Sequence, residues 1–274
     1  ELLTETRYDE ADRIAEIIGQ GSYYYKQALV SSGHMFAIYK TMAPFSKDAA
    51  LRECLEGESY VTWLDALSRR FRDSALCDAL SALAKKAFAG NRLFTAYTGR
   101  LDRGLVDTLR AALPESPVGA PAQVPAFEKK PAAIEIASDV GYSALGANLY
   151  AIGSGYTGSV SVLASLMTYG YLWNAVRVRG GAYGTGMNVR SNGDVFCYSY
   201  RDPNVENSLA VYGGIPDFLA EFLSQGMPMD DIIIGTVNTT EPLLDPAGVC
   251  ELECIRYLKG TTAADISRIR RDES

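Results

Sequence analysis

The sequence predicts an α+β fold in two parts, and three observations predict it. Apolar residues recur at helical spacing through most of residues 6–113. Five of the eleven prolines fall within residues 114–131. Residues 177–202, RVRGGAYGTGMNVRSNGDVFCYSYRD, read as a glycine loop, a strand, a tight turn, a second strand and a helix start.

In the first part, residues 6–30 predict a helix. Asp9, Glu10, Asp12 and Glu16 mark a solvated face, and Ile14, Ile17, Ile18 and Leu29 an apolar one. Tyr23, Tyr24 and Tyr25 are expected to pack against a neighbour near its end. Ser31-Ser32-Gly33 breaks the helix, and a second segment starts at His34, which reads as a hydrogen-bonded core histidine. Pro44, Ser46 and Asp48 give a turn and a helix cap, and helices are expected over 47–56 and 58–71. In the second of these, Tyr60, Trp63, Leu64, Leu67 and Phe71 follow helical spacing. Another helix is expected over 73–89, a strand over 91–98, and a helix from Asp102 to Leu113. The prolines of 114–131 exclude both helix and central strand and so mark a linker. The expected domains are residues 1–120 and 121–274.

The second part predicts strands over 132–137 and 143–152. The glycine turn at Gly153, Gly155 and Gly158 lacks the lysine of a phosphate loop and does not fit G-x-G-x-x-G. A helix over 157–174 carries Val160, Leu163, Met167 and Tyr171 on one stripe. Asn192-Gly193 predicts a hairpin through a type I′ turn. Beyond it, Val195, Cys197 and Ser199 alternate with Phe196, Tyr198 and Tyr200. Asp202-Pro203 reads as a helix cap and first-turn proline. The following helix is expected to restart near Pro216, with further helices near 229–240 and 246–258 and a charged one at the end.

Net charge is −7 and the pI about 4.9. Such a surface repels phosphate backbones, so no nucleic-acid partner is expected. No run of about 18 apolar residues occurs, so no membrane span is expected. Five cysteines, odd in number and sparse, point to reduced thiols in a reducing compartment. Cys250 and Cys254 are spaced i, i+4. No second cysteine or histidine pair exists to complete a metal site, and they read as half-buried thiols. The chain holds one histidine, His34, so a two-histidine hydrolytic zinc site cannot be assembled from it, and no metal ligands are assigned.

RxRGGAYG at 177–184, followed after the hairpin by YSYRDPN at 198–204, resembles the C-terminal half of presequence-protease-like peptidases. These belong to the pitrilysin/insulinase superfamily of zinc metallopeptidases with the inverted motif H-x-x-E-H. Val30 to Phe45, with Ser31-Ser32-Gly33-His34, is similar to that family's third quarter, and the resemblance covers nearly the whole chain. It implies two metallohydrolase-like units, each a mostly antiparallel sheet with helices on one side. The first would be incomplete at its N-terminus, and the second is open to truncation at its C-terminus. The chain is expected to be a fragment, inactive alone. Its partners would be the N-terminal catalytic half of the same polypeptide, which carries the zinc and the general-base glutamate, and short unstructured peptides. The compartment would be cytoplasmic in a bacterium, or a mitochondrial or plastid matrix in a eukaryote.

The resemblance also assigns roles. The family's arginine and tyrosine, six positions apart, fall on Arg177 and Tyr183. Tyr183 would donate to the oxyanion forming at the scissile carbonyl, and Arg177 would hold a substrate carbonyl or carboxylate. Arg179 shares the parity of Arg177 and is a second candidate for that clamp. Gly180 and Gly181 would let backbone and substrate approach closely. Taken without the resemblance, Arg177 reads as half of a surface ion pair and Tyr183 as an ordinary strand residue. Arg201 and Asp202 read as structural. The rival reading is a non-catalytic peptide-binding or regulatory subunit of the same fold.

Limited proteolysis with mass mapping should give its earliest interior cut within 114–131, where prolines keep the backbone out of regular pairing. An earlier cut inside 157–202 would place the linker wrongly.

Overall fold

A computed structural model describes residues 5–70, 74–117, 119 and 123–273. Phe71, Asp73 and the expected domain boundary at 120–121 lie outside the described residues. Contacts divide the chain into two compact units that interleave in sequence. One comprises 1–23, 63–123 and 243–262; the other comprises 24–62, 124–242 and 263–274.

The helices of the first part are α1 (Ala11–Ser31), α2 (Gly33–Met42), α3 (Lys47–Glu56), α4 (Glu58–Arg70), α5 (Ser74–Ala87) and α6 (Arg103–Ala112). Caps set several of these bounds. Ser46 accepts from the Ala49 N–H at the start of α3, and Asp102 accepts from the Leu105 N–H at the start of α6. The expected strand over 91–98 does not form. Gly90–Arg92 is a 3₁₀ turn instead. The Asn91 side chain donates to the Ser116 carbonyl at 2.7 Å and accepts from its N–H at 3.3 Å, and Gly90 N–H bonds the Pro114 carbonyl. These bonds tie the turn to the proline segment and leave no ladder partner. In this unit Ile14 and Cys77 form a small core with Ile18, Leu76 and Leu80 around it.

The second unit holds the sheet: β1 (Gly141–Asn148), β2 (Gly184–Val189) and β3 (Asp194–Asp202), antiparallel in the order β1-β3-β2. Residues 132–137 are extended but unpaired, so the strand expected there is absent. Among the described residues this is the only sheet. The fold is thus helical with a small antiparallel sheet, in keeping with α+β. Helix α7 (Gly158–Ser165) runs on into a π-helix over Leu166–Arg179, five residues beyond the expected end. Then come α8 (Val205–Gly213), α9 (Ile215–Gln225), α10 (Asp230–Thr240), α11 (Pro246–Lys259) and α12 (Ala263–Glu273).

Helices cover both faces of the sheet, not the one face expected. Phe196 packs with Ile38, Tyr39 and Met42 of α2, with Tyr198 beside them. Cys197, on the opposite face, packs with Leu172 and Val176 of the π-helix and Tyr212 of α8. The alternation of β3 therefore feeds two cores, and burial pushes the Cys197 thiol up to about 12. Ser143 and Ser199 share a hydroxyl contact at 2.7 Å, and Ser143 meets the Tyr212 hydroxyl at 3.0 Å. Burial pushes Tyr212 up to about 12, with these serine bonds acting the other way. The outer edge of β2 is covered at its middle. Met187 N–H donates to the Thr168 hydroxyl at 2.9 Å, and that hydroxyl donates to the Met187 carbonyl at 3.3 Å.

The hairpin forms where Asn192-Gly193 predicts it, but not through type I′ geometry. Gly193 N–H bonds the Arg190 carbonyl, and only Gly193 has positive φ (+84°), so a type I turn is followed by a left-handed glycine. The reason is Asp194, which is fully buried. It accepts from Ser46 Oγ at 2.8 Å, from Asn192 Nδ2 at 2.9 Å and from Asn148 Nδ2 at 2.9 Å. Asn192 must point its side chain back at that carboxylate, which fixes the turn.

His34 departs from expectation too. It is half-buried in α2, and its ring lies 4.7 Å from that of Tyr200, edge-on, and about 6 Å from those of Tyr142 and Tyr198. Its Nδ1 is buried and has no hydrogen-bond partner among the described residues. Burial lowers its pKa.

Asp194→Ala should destabilise the chain by about 3 kcal/mol or more, because three buried donors lose their acceptor at once. A urea transition unchanged within error would refute that role. For His34, a lowered folded pKa means that the unfolded chain binds the extra proton below about pH 6.5. Its contribution is complete above that pH and declines as pH falls. His34→Gln should therefore lose less stability than wild type between pH 7 and pH 5, and an equal or larger loss would overturn the assignment.

Candidate functional site

The π-helix ends at Arg179, and the loop Gly180–Tyr183 turns the chain back into β2. The reversal is closed by backbone bonds from Gly181 N–H to Arg177 O (3.0 Å) and from Ala182 N–H to Val176 O (3.2 Å). Gly181 has φ +83°, a conformation that disfavours a side chain. A Cβ on Gly180 would lie 2.5 Å from the Val176 carbonyl oxygen. Both glycines are thus required by the loop itself, and their expected role in substrate approach remains a proposal.

Ala182 is buried in the core with Leu172, Val176, Cys197 and Tyr212. Burying Ala182 turns its neighbour outward: Tyr183 is 67% exposed. Its N–H bonds the Tyr200 carbonyl at 3.0 Å and the Arg201 carbonyl at 3.2 Å. Its ring stands edge-on to that of Tyr200, centroids 5.8 Å apart. The hydroxyl has no partner among the described residues, which leaves its donor open.

Arg177 is half-buried, its guanidinium carbon 4.0 Å from the ring centroid of Trp173. It has no carboxylate partner among the described residues, so the surface ion pair read from sequence alone is absent there. Arg179 is exposed and likewise without a carboxylate among them. Elsewhere in the chain, Arg13, Arg52, Arg69 and Arg256 all pair with nearby acids. Arg177 and Tyr183 therefore flank one short loop, each offering donors that the protein does not use.

The end of β3 holds two features that sequence reasoning missed. Arg201 has positive φ (+46°) without being glycine, and its guanidinium lies 5.6 Å from the centroid of Tyr200. Asp202 is not the helix cap. Helix α8 begins at Val205, and Asn204 accepts from the Asn207 N–H. Asp202 is buried, and its Oδ1 accepts from the Asn204 N–H at 2.8 Å, two residues on. That local turn consumes the carboxylate and shifts the helix start. Sequence reasoning missed Tyr169 and Trp173 as well, although their fourfold spacing up to Arg177 is visible there.

Among the described residues no group of three or more His, Cys, Asp or Glu is placed to hold a metal ion. Cys250 and Cys254 are free, half-buried thiols. No helix among the described residues is long and apolar enough to cross a membrane.

Comparison with known proteins places these features in a family. Residues 132–273 match the family model described as PreP C-terminal domain, and residues 1–67 match one described as associated with M16 peptidases of subfamily C. Protein HypA of Clostridium perfringens is 28% identical over 99% of this chain and 28% of its own length. Presequence protease 1, chloroplastic/mitochondrial, of Arabidopsis thaliana is 27% identical over 99% of this chain and 26% of its own length. Presequence protease, mitochondrial, of Drosophila melanogaster is 23% identical over 77% and 21%. The chain spans about a quarter of the length of these relatives. With more than half of it covered by the first model, the chain belongs to the family of the PreP C-terminal domain, the C-terminal half of presequence-protease-like M16 peptidases.

Proposed function

We propose that this chain is the non-metal half of a zinc-dependent endopeptidase that degrades short unstructured peptides. In this reading it supplies substrate-binding and oxyanion-stabilising groups to a metal site carried elsewhere in the same polypeptide. The observation that supports it best is the pair of unused donors beside one loop, the Tyr183 hydroxyl and the Arg177 guanidinium. The compartment carries over as a proposal too: the plant and insect relatives are named for mitochondria or chloroplasts.

The residues of this chain do not fit zinc, so no metal step belongs to them. Their task is electrostatic. A phenol hydroxyl is a neutral donor, and when a peptide carbonyl becomes tetrahedral its oxygen gains charge. A donor already aimed at that position stabilises the change without reorganising solvent. Tyr183 suits this because its ring is braced by Tyr200 while its hydroxyl stays open. Arg177 is a permanent cation with planar donors, steadied by Trp173, and suits a carbonyl or carboxylate of the bound peptide. Arg179, exposed at the helix end, is the second candidate for that contact.

The test needs the full-length protein with its H-x-x-E-H segment. Tyr183→Phe should lower kcat by about 10²–10³ with little change in KM, since the bond strengthens mainly in the transition state. Arg177→Ala should raise KM at least as much as it lowers kcat, because a clamp also acts on the ground state. Neither side chain is buried, so neither change should unfold the domain. Retention of nearly full kcat by Tyr183→Phe would reduce Tyr183 to an ordinary loop residue and favour a non-catalytic, peptide-binding role.

A further inference from the structure

Arg177 is the last member of a longer surface feature. Tyr169, Trp173 and Arg177 recur every four residues along the π-helix. Its turn is wider than the 3.6 residues of an α-helix, so this spacing keeps them along one side. The Tyr169 and Trp173 rings are 6.4 Å apart, tilted by 44°. Tyr169 is 70% exposed and Trp173 36%, large values for rings beside a packed core. Neighbouring Leu172, Ala175 and Val176 are buried, so the helix turns its aliphatic side inward and this aromatic side outward. The row ends on a guanidinium with no carboxylate partner among the described residues.

We propose that Tyr169, Trp173 and Arg177 form a subsite for the carboxyl-terminal residue of a short peptide, with an aromatic or large aliphatic side chain preferred. The inference rests on reading the Arg177–Tyr183 loop as a peptide site. Charge complementarity selects the occupant. A guanidinium against an indole ring keeps its N–H groups in its own plane, where they suit a planar carboxylate. In a terminal residue the carboxylate and the side chain leave the same Cα. Both can therefore reach Arg177 and the adjoining ring of Trp173, whose neighbours are 4.0 and 6.4 Å away. An aspartate or glutamate side chain brings no apolar group of its own to the rings. The exposed aromatic pair then adds stacking with the terminal side chain.

The chain reports on this site directly, because it has only two tryptophans, Trp63 and Trp173. In a Trp63→Phe chain the indole emission comes from Trp173 alone. Titration with acetyl-Gly-Gly-Phe carrying a free carboxylate should give a saturable change in that emission. The same peptide as its amide, and acetyl-Gly-Gly-Gly with a free carboxylate, should each bind about tenfold more weakly or worse. In the unsubstituted chain, the Trp173 indole N–H signal in a nitrogen–proton correlation spectrum should move with the same ordering, while that of Trp63 stays still. Equal response to acid and amide would overturn the proposal, as would no saturable response up to millimolar peptide. So would equal binding of acetyl-Gly-Asp-Gly-amide, which would assign the site to acidic side chains. These titrations need no metal and no turnover. A failed subsite is therefore distinguishable from a failed oxyanion role, which kcat of Tyr183→Phe measures.

Discussion

The structure depends on β3 being apolar on both faces. A strand packed on one side only needs every second residue to be apolar; β3 spends its even positions on one core and its odd positions on another. Phe196 and Tyr198 serve α2, while Cys197 serves the π-helix and α8. Shifting the register of β3 by one residue would exchange these two sets and ruin both cores at once. The ends of the strand are pinned accordingly. At one end the Asp194 carboxylate gathers Ser46, Asn148 and Asn192; at the other, Asp202 closes its own turn with Asn204.

The candidate site is a product of this anchoring. Tyr200 is the seventh residue of β3, and its backbone and ring both meet Tyr183. Ala182 is drawn into the core between the π-helix and the sheet, and the left-handed Gly181 turns the chain so that Tyr183 emerges. An exposed tyrosine normally loses entropy when it is fixed. Here the fixing is done by a ring that the fold had already placed, so the open hydroxyl is oriented at little extra cost.

Much of this was legible in the sequence, and the misses have physical causes. Residues 47–56 and 102–113 could be bounded well because Ser46 and Asp102 are real caps. The alternation from Val195 to Tyr200 identified the strand and its two faces, but not that both would be covered. Coverage depends on α2, which lies more than 150 residues away in sequence. The strands expected at 91–98 and 132–137 failed for want of partners: alternation signals strand propensity and not a ladder. Asp202 misled because aspartate before proline suits a helix cap and a local turn equally well, and Asn204 two residues on settles which forms. Arg177, Tyr183 and the glycine pair could be singled out only through the family motif. Nothing in their local spacing shows that the arginine would rest on Trp173 and lack an acid.

The Thr168 hydroxyl against Met187 bears on how this domain behaves in a crowd of its own copies. β2 is the outer strand of a small sheet, and an outer strand with bare N–H and C=O groups is a template on which another chain can polymerise. Thr168 satisfies one group of each kind at the middle of that strand. It therefore interrupts the run of open groups that an incoming strand would need. Valine in its place would keep the shape and remove the interruption. One oxygen atom, serving as donor and acceptor together, thus separates a sheet that ends with this molecule from one that could be extended by the next.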